Sequence, residues 1–361
     1  MTTGPDVEAF EKKLCEQSGA KFAVVCSNGT TALHLACLAL GIKKNDVCIT
    51  SPITFLASAN CVEYCNGKVD FVDIDKNTLC LSVKELKKYC EEKKPPKVVI
   101  PVDFAGVPAN LPAIWSLAKK YGFKVIEDAA HSIGSSYVDR GKTYFCGSCR
   151  HSNLAIFSFH PVKNITTAEG GAVLTNDKAL YEKLKLFRSH GMTKDKTRLQ
   201  RNEGEWYYEM HELGFNYRLT DMQCALGISQ LDKLESIKKK RQNIVKKYNA
   251  AFSKNAALEL PPWPKYSSPC FHLYPIRFLQ GKEVRARVYY EMKKAGIYCQ
   301  VHYFPVHLQP YYQKKYGFTA GQFPNAETYY SQCLSLPLFP AMSEKDVSLV
   351  IKNINRIVFN K

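Results

Sequence analysis

The sequence predicts an α/β fold, with a mainly parallel sheet in a large first part and a smaller α+β part after it. Three observations carry that prediction. Short apolar runs alternate with runs of helical spacing through the first half, the order that builds βαβ units. The runs KFAVVC, DVCITS, KVDFVDI, KVVIPVDF, FKVIEDA, NLAIFSF and GAVLTN are of strand length and predict a seven-stranded type of sheet. The pattern then changes at the Pro-rich LPPWPKYSSP stretch, beyond which the elements shorten. Helices are expected to start near Thr30, Thr54, Ser82, Asn110 and Asp177, several of them opened by a side chain able to accept from the first free amides. From Thr220 to about Phe252 the helical pattern runs on while its charge rises, predicting one long helix that leads from a large domain, 1–235, into a small one, 236–361. FHLYPIRF, a VRARVYYEMKKAG helix, IYCQVHY and a last helix after Ser343 complete the smaller part.

At 361 residues and 45% apolar content the chain can bury sizeable cores. No apolar run reaches the roughly 18–20 residues of a membrane helix, and the N-terminus lacks the basic-then-apolar order of a signal peptide, so a cytoplasmic protein is expected. The fourteen cysteines are scattered through apolar elements, as with Cys37, Cys61 and Cys224, and read as reduced core thiols. Cys146 and Cys149 have the spacing of half a zinc site, but no second pair completes it and no metal is expected. A formal charge of +17 raises nucleic-acid binding, yet the lysines are interleaved with acids on helical stretches such as DKLESIKKKRQ, the pattern of solvated faces.

In an open parallel sheet the ligand site lies beyond the carboxyl ends of the strands, which selects four places. Cys26-Ser-Asn-Gly-Thr-Thr31 leads into a helix: Gly29 permits close approach, and Thr30 and Thr31 offer hydroxyls to a phosphate at the helix N-terminus, or the segment is a plain cap. FKVIEDAAHS ends a strand on Glu127 and Asp128, with His131 three residues on; Asp128 could hold a pyridinium nitrogen or cap the next helix. SFHPVKNITTAEGG places Lys163 among small polar residues just after a strand, with Ser158, His160, Asn164 and Thr167 near it. A lysine held and desolvated in such a loop is suited to join a carbonyl cofactor, the alternative being a surface lysine. SPITFLASAN sets Phe55 where it could stack on a planar ring or fill core. A phosphate cradle, a pyridinium acid, a stacking ring and a reactive lysine together are the parts of a pyridoxal 5'-phosphate site.

The segments SNGTTAL, PITFLASAN, VIEDAAHSIGS, FSFHPVKNITTAEGGAV, RSHGM, LGFNYRLTDMQCALG and VHYFPVHLQPYY closely resemble the nucleotide-sugar aminotransferases of the DegT/DnrJ/EryC1/StrS group, almost end to end. Within that group, SFHPVKNITTAEGG, FRSHGM and GFNYRL most resemble the transaminases of pseudaminic acid synthesis. The resemblance implies a fold type I PLP-dependent aminotransferase. It implies that Lys163 binds the cofactor covalently and shuttles a proton, that Asp128 pairs with the pyridine nitrogen, that His131 reaches the ring's 3-oxygen and that Phe55 covers the ring face. Gly29, Thr30 and Ser158 would bind the phosphate, with Asn216 reaching it from the other subunit of a homodimer. Family dehydratases have histidine in place of the lysine, so Lys163 favours transamination.

The implied reaction aminates C4 of a UDP-linked 2-acetamido-2,6-dideoxy-4-keto-hexose of L-arabino configuration, with glutamate as donor. Arg218, His302, Tyr303 and His307 are the candidate contacts to the sugar nucleotide, since aromatic and basic groups suit base, sugar and diphosphate. The alternatives are a dTDP-, GDP- or UDP-linked 4-keto or 3-keto 6-deoxyhexose of another pathway and, from a different class, a non-catalytic regulator or nucleic-acid binder on the same fold. Family members usually carry a further segment ahead of the part matching Thr2-Thr3-Gly4-Pro5, which implies either a start assigned too late or the loss of part of the sugar pocket.

Overall fold

The computed structural model describes residues 4–201 and 203–359. Each of the seven apolar runs forms a strand, and the seven make one sheet, in the order Phe22–Cys26, Gly171–Thr175, Leu154–Ser158, Lys124–Asp128, Val98–Ile100, Val47–Thr50 and Lys68–Phe71. All neighbours pair parallel except the two pairings made by Gly171–Thr175. Alternate residues of the strands enter separate apolar clusters: Ala23, Val25, Val125, Ala155 and Phe157 on one face, and Val24, Cys26, Ile126, Leu154 and Ile156 on the other. That two-sided burial is why the runs read as continuously apolar rather than alternating.

A third cluster gathers Tyr248, Phe252, Tyr274, Ile276, Phe278, Met292, Leu334 and Ile354 around a small antiparallel sheet of Leu258–Glu259, Tyr274–Phe278 and Cys333–Leu336. The chain does not stay there. Val306 and Tyr312 return to one large-sheet cluster and Ala326 and Tyr329 to the other, while Ser267–Ser268 pairs with Tyr137 and Ser136 of a hairpin in the first half. These returns lay the 302–312 segment against the large sheet's carboxyl edge, where Val306 N–H donates to Pro52 O at 2.9 Å.

Two local expectations are corrected. The long helix from Thr220 to Phe252 is two helices, Asp221–Leu231 and Leu234–Phe252, because a turn at Asp232–Lys233 lets both Leu231 and Leu234 reach the core. The helix expected near Thr54 starts at Ala57, because the Thr54 hydroxyl bonds the Ser58 hydroxyl at 2.7 Å instead of capping. IYCQVHY forms no strand; its one ladder contact is the bridge from Gln300 to Ser335. No helix among the described residues is long and apolar enough to cross a membrane.

Under the strand that carries Asp128, the side chains of Asp103, Glu127 and Cys146 lie fully buried, with ligand atoms within 4.8 Å of one another. Asp103 accepts from Ala109 N–H and the Ser132 hydroxyl at 2.8 and 2.6 Å, and Glu127 from Gly147 N–H at 3.0 Å. Burial pushes Asp103 up to about 6 and, with the Asp103 charge added, pushes Glu127 higher, so the pair holds a proton between them. In the unfolded chain both ionise near pH 4, so the folded state binds more protons above that pH, and stability falls as pH rises through about 6 and beyond. Glu127→Gln needs no such proton. We expect it to unfold within ~1 kcal/mol of the parent at pH 5 and to be the more stable protein at pH 8, each unit of upward shift being worth about 1.4 kcal/mol. Urea unfolding at the two pH values checks this; a variant less stable at both would show that no proton is shared.

Candidate active site

Five strands end at one edge, and the residues at and just beyond their ends enclose a cavity of about 500 Å³. The first wall is the turn after Phe22–Cys26. Asn28 caps the helix Gly29–Ala39 through a capping box with Thr31, the Asn28 oxygen accepting from Thr31 N–H at 2.9 Å and the Thr31 hydroxyl from Asn28 N–H at 3.1 Å. That exchange leaves the Gly29 and Thr30 amides at the helix N-terminus, with no protein acceptor among the described residues, and both residues line the cavity. Gly29 is required by proximity: a Cβ there would lie 2.8 Å from Ser158 Cβ.

Asp128 forms the floor. The Ser58 hydroxyl donates to one carboxylate oxygen at 2.6 Å and Ala130 N–H to the other at 3.2 Å. Burial pushes this carboxyl upward, while those two donors and the Lys163 ammonium pull it back. Lys163, half-buried opposite, is pushed down to about 8, chiefly by burial of its amine and against the pull of Asp128. About a tenth of an amine so placed is unprotonated at pH 7, against well under a thousandth of an ordinary solvated lysine.

Aromatic and imidazole side chains close the remaining walls. Phe55 is 56% exposed at the mouth, its ring centroid 6.2 Å from that of Tyr303. The Tyr303 hydroxyl lies 3.3 Å from His131 Nε2. His131 is fully buried and held well below the usual histidine range, mainly by burial and then by Lys163. His302 is held down to about 4 by burial and Lys163, and its Nδ1 lies 2.9 Å from the Ser335 hydroxyl. His160 also lines the cavity, from an exposed position 3.9 Å from a Glu169 oxygen.

The structure thus brings Gly29, Thr30, Phe55, Asp128, His131, Ser158, Lys163, His302 and Tyr303 to one cavity. It places the other candidates elsewhere. His307 is fully buried and paired with Glu327 at 3.2 Å, packed on Phe323 away from the cavity. Asn216 is exposed on a bridge to Ser189, and neither it nor half-buried Arg218 lines the cavity of this chain. Cys149 bonds Leu174 O at 3.2 Å, while Cys146 joins the buried acids. Sequence reasoning missed Ser58, although it sits three residues after Phe55, and it missed His272, whose ring lies 4.4 Å behind that of His131.

These residues fit pyridoxal phosphate. A helix end with free amides suits the phosphate, a donor-stabilised carboxylate suits the pyridine nitrogen, a low-pKa amine suits covalent attachment, and His131 Nδ1 is buried without a partner.

Comparison with known proteins agrees. Residues 1–355 match the DegT/DnrJ/EryC1/StrS aminotransferase family. The chain is 41% identical over 355 residues to the UDP-4-amino-4,6-dideoxy-N-acetyl-beta-L-altrosamine transaminase of Campylobacter jejuni, covering 97% of this chain and 89% of that one. Among solved structures it is similar to Helicobacter pylori PseC, an aminotransferase involved in the biosynthesis of pseudoaminic acid, with a TM-score of 0.89, 31% identity and 100% and 93% of the two chains covered. The PLP form of a sugar aminotransferase from Streptococcus pneumoniae superposes with the same TM-score of 0.89 at 26% identity, over 99% and 92% of the chains. A cavity made for a phosphate, a pyridinium and a reactive amine has therefore the fold and the sequence relatives that such chemistry requires, and the chain belongs to the DegT/DnrJ/EryC1/StrS family as a pyridoxal phosphate-dependent sugar aminotransferase.

Proposed function

We propose that this enzyme transfers an amino group, from glutamate, to C4 of UDP-2-acetamido-2,6-dideoxy-beta-L-arabino-hexos-4-ulose, the amination step of pseudaminic acid synthesis. The observation that carries the reading is the 41% identity, over 97% of the chain, to the Campylobacter altrosamine transaminase. When bound, the cofactor supplies a carbonyl that carries the amino group between two substrates and a cationic ring that accepts electrons. Asp128 would meet that ring nitrogen, and the hydroxyl that Ser58 donates to it at 2.6 Å favours its carboxylate form. Lys163 Nζ, with an amine at about 8, can take a proton and return it near neutral pH. Gly29, Thr30 and Ser158 would hold the phosphate end, and Phe55 and Tyr303 narrow the mouth against water. His302 and Tyr303 remain as candidate sugar contacts from the 302–312 segment.

The reading includes a homodimer in the cytoplasm, with Asn216 and Arg218 serving the partner's cavity. Support comes from the exposed apolar residues around them in sequence, Leu213 and Met222 at 76% each and Met210 at 62%, a density unusual for a free surface.

Lys163→Ala is expected to abolish turnover while leaving the thermal midpoint within a few degrees; measurable catalysis by the purified variant would sink the role. Asp128→Asn should lose at least ~100-fold in kcat, about 2.7 kcal/mol, because an amide cannot hold the ring proton. On a panel of keto sugars, the UDP-linked 2-acetamido substrate should exceed a dTDP-linked 2-hydroxy one by at least ~100-fold in kcat/KM, a size that one or two hydrogen bonds can supply. Equal or better use of the dTDP sugar would replace the proposed substrate and leave the aminotransferase standing. Mixing Lys163→Ala subunits with Asn216→Ala subunits should restore activity, since one site per mixed dimer is then intact; no recovery in confirmed mixed dimers would refute a shared site.

A further inference from the structure

Much local structure serves to bring His272 against His131. The chain at 270–272 is drawn in from several sides: His272 N–H donates to Ala105 O at 2.9 Å, Asn164 Nδ2 to Cys270 O at 2.6 Å, and Arg241 Nη1 to Phe271 O and His272 O at 3.1 and 3.3 Å. Gly106, at φ +94°, lets the strands of chain meet; a Cβ there would lie 2.8 Å from Cys270 O and 3.0 Å from both His131 O and His272 N. Asn164 follows Lys163 directly, so the bond that pulls in Cys270 also anchors the lysine's loop. The His272 ring ends 4.4 Å from that of His131, on a residue only 5% exposed, and Nδ1 of each ring is buried without a partner.

We propose that His272 is a positioning residue: its ring seals the back of His131 from water and holds it as an uncharged imidazole facing the lysine and the cavity. The groups around His131 agree. Tyr303 presents a hydroxyl at 3.3 Å, Phe104 an apolar ring, and Lys163 and His302 groups whose positive forms repel a second charge. His272 itself faces His131, Lys163, Arg241 and His302, all of which oppose its protonation. Asp128, a carboxylate of the same cavity, is engaged by Ser58 and Ala130. Burial is the first cause that keeps His131 neutral, and His272 supplies that burial from the side away from the cavity. The effect on the cofactor rests on the reading that His131 meets it; the sealing does not.

The test uses the cofactor-loaded enzyme with histidines labelled at Cε1 for NMR, His131 being assigned through His131→Gln. In the parent the His131 signal is expected not to titrate between pH 5.5 and 9. His272→Ala admits water and should bring the His131 midpoint up to about 6.5, the ordinary value, whereas His272→Phe refills the space and should leave it silent. His272→Ser is a second water-admitting variant should the alanine protein not fold. The visible absorbance of the bound cofactor should gain a transition at the same midpoint in the Ala or Ser variant and not in the Phe variant. A His131 signal that stays silent in the Ala and Ser variants, or titrates equally in the Phe variant, would overturn the proposal. A new NMR midpoint without the absorbance change would still support the seal and would fault only the placing of His131 beside the cofactor.

Discussion

Everything at this site depends on burying a lysine amine and a carboxylate in one cavity while leaving neither charge unsupported. Desolvation alone would push Asp128 toward its neutral acid and Lys163 toward its neutral base. The protein opposes the first with two donors, which favour the carboxylate form, and partly permits the second, which makes the lysine a usable base. Ser58, Ala130 and the opposite charge of each partner set that balance.

The sheet makes the arrangement possible. Parallel strands send successive chain ends to one edge, so the turn at Asn28, the end of the strand at Asp128 and the loop at Lys163 meet although they are far apart in sequence. Each contributes what its local chemistry permits: free amides from a capping box, a carboxylate from a strand end, an amine from a loop tied down by Asn164. The smaller sheet and the helix Pro324–Gln332 add the lid side. Tyr329 donates to His302 O at 3.0 Å and Ser335 lies 2.9 Å from His302 Nδ1, which anchors the 302–303 pair over the opening.

Not all buried polar chemistry near the site is catalytic. Asp103 and Glu127 lie one layer below Asp128 and are tied to it through the backbone, Asp103 N–H donating to Asp128 O at 3.0 Å. A proton shared between two such acids leaves one negative charge where two would repel. His131 and His272 are a related case on the other side, two nearly buried imidazoles 4.4 Å apart with no carboxylate hydrogen-bonded to either ring among the described residues.

Local pattern was enough to locate the seven strands, because strands buried on both faces are short and uniformly apolar, and enough to single out Lys163, Asp128, Phe55, Gly29 and Thr30 as cavity candidates, because each lies at a strand end or within five residues beyond one. Capping propensity found the helix starts at Ser82, Asn110 and Asp177, whose side chains do cap, and misplaced the one near Thr54, where a hydroxyl found a closer partner. The break at Asp232–Lys233 lacks a Gly or Pro signal and was settled by two leucines reaching core. Tertiary structure alone decided that Ser58 supports Asp128, that His272 backs His131 and that His307 pairs with Glu327 away from the cavity. These are contacts between residues separated by 70, 141 and 20 positions in the order named. Periodicity and spacing report which face a residue takes within its own element; which neighbour it meets depends on how distant elements pack.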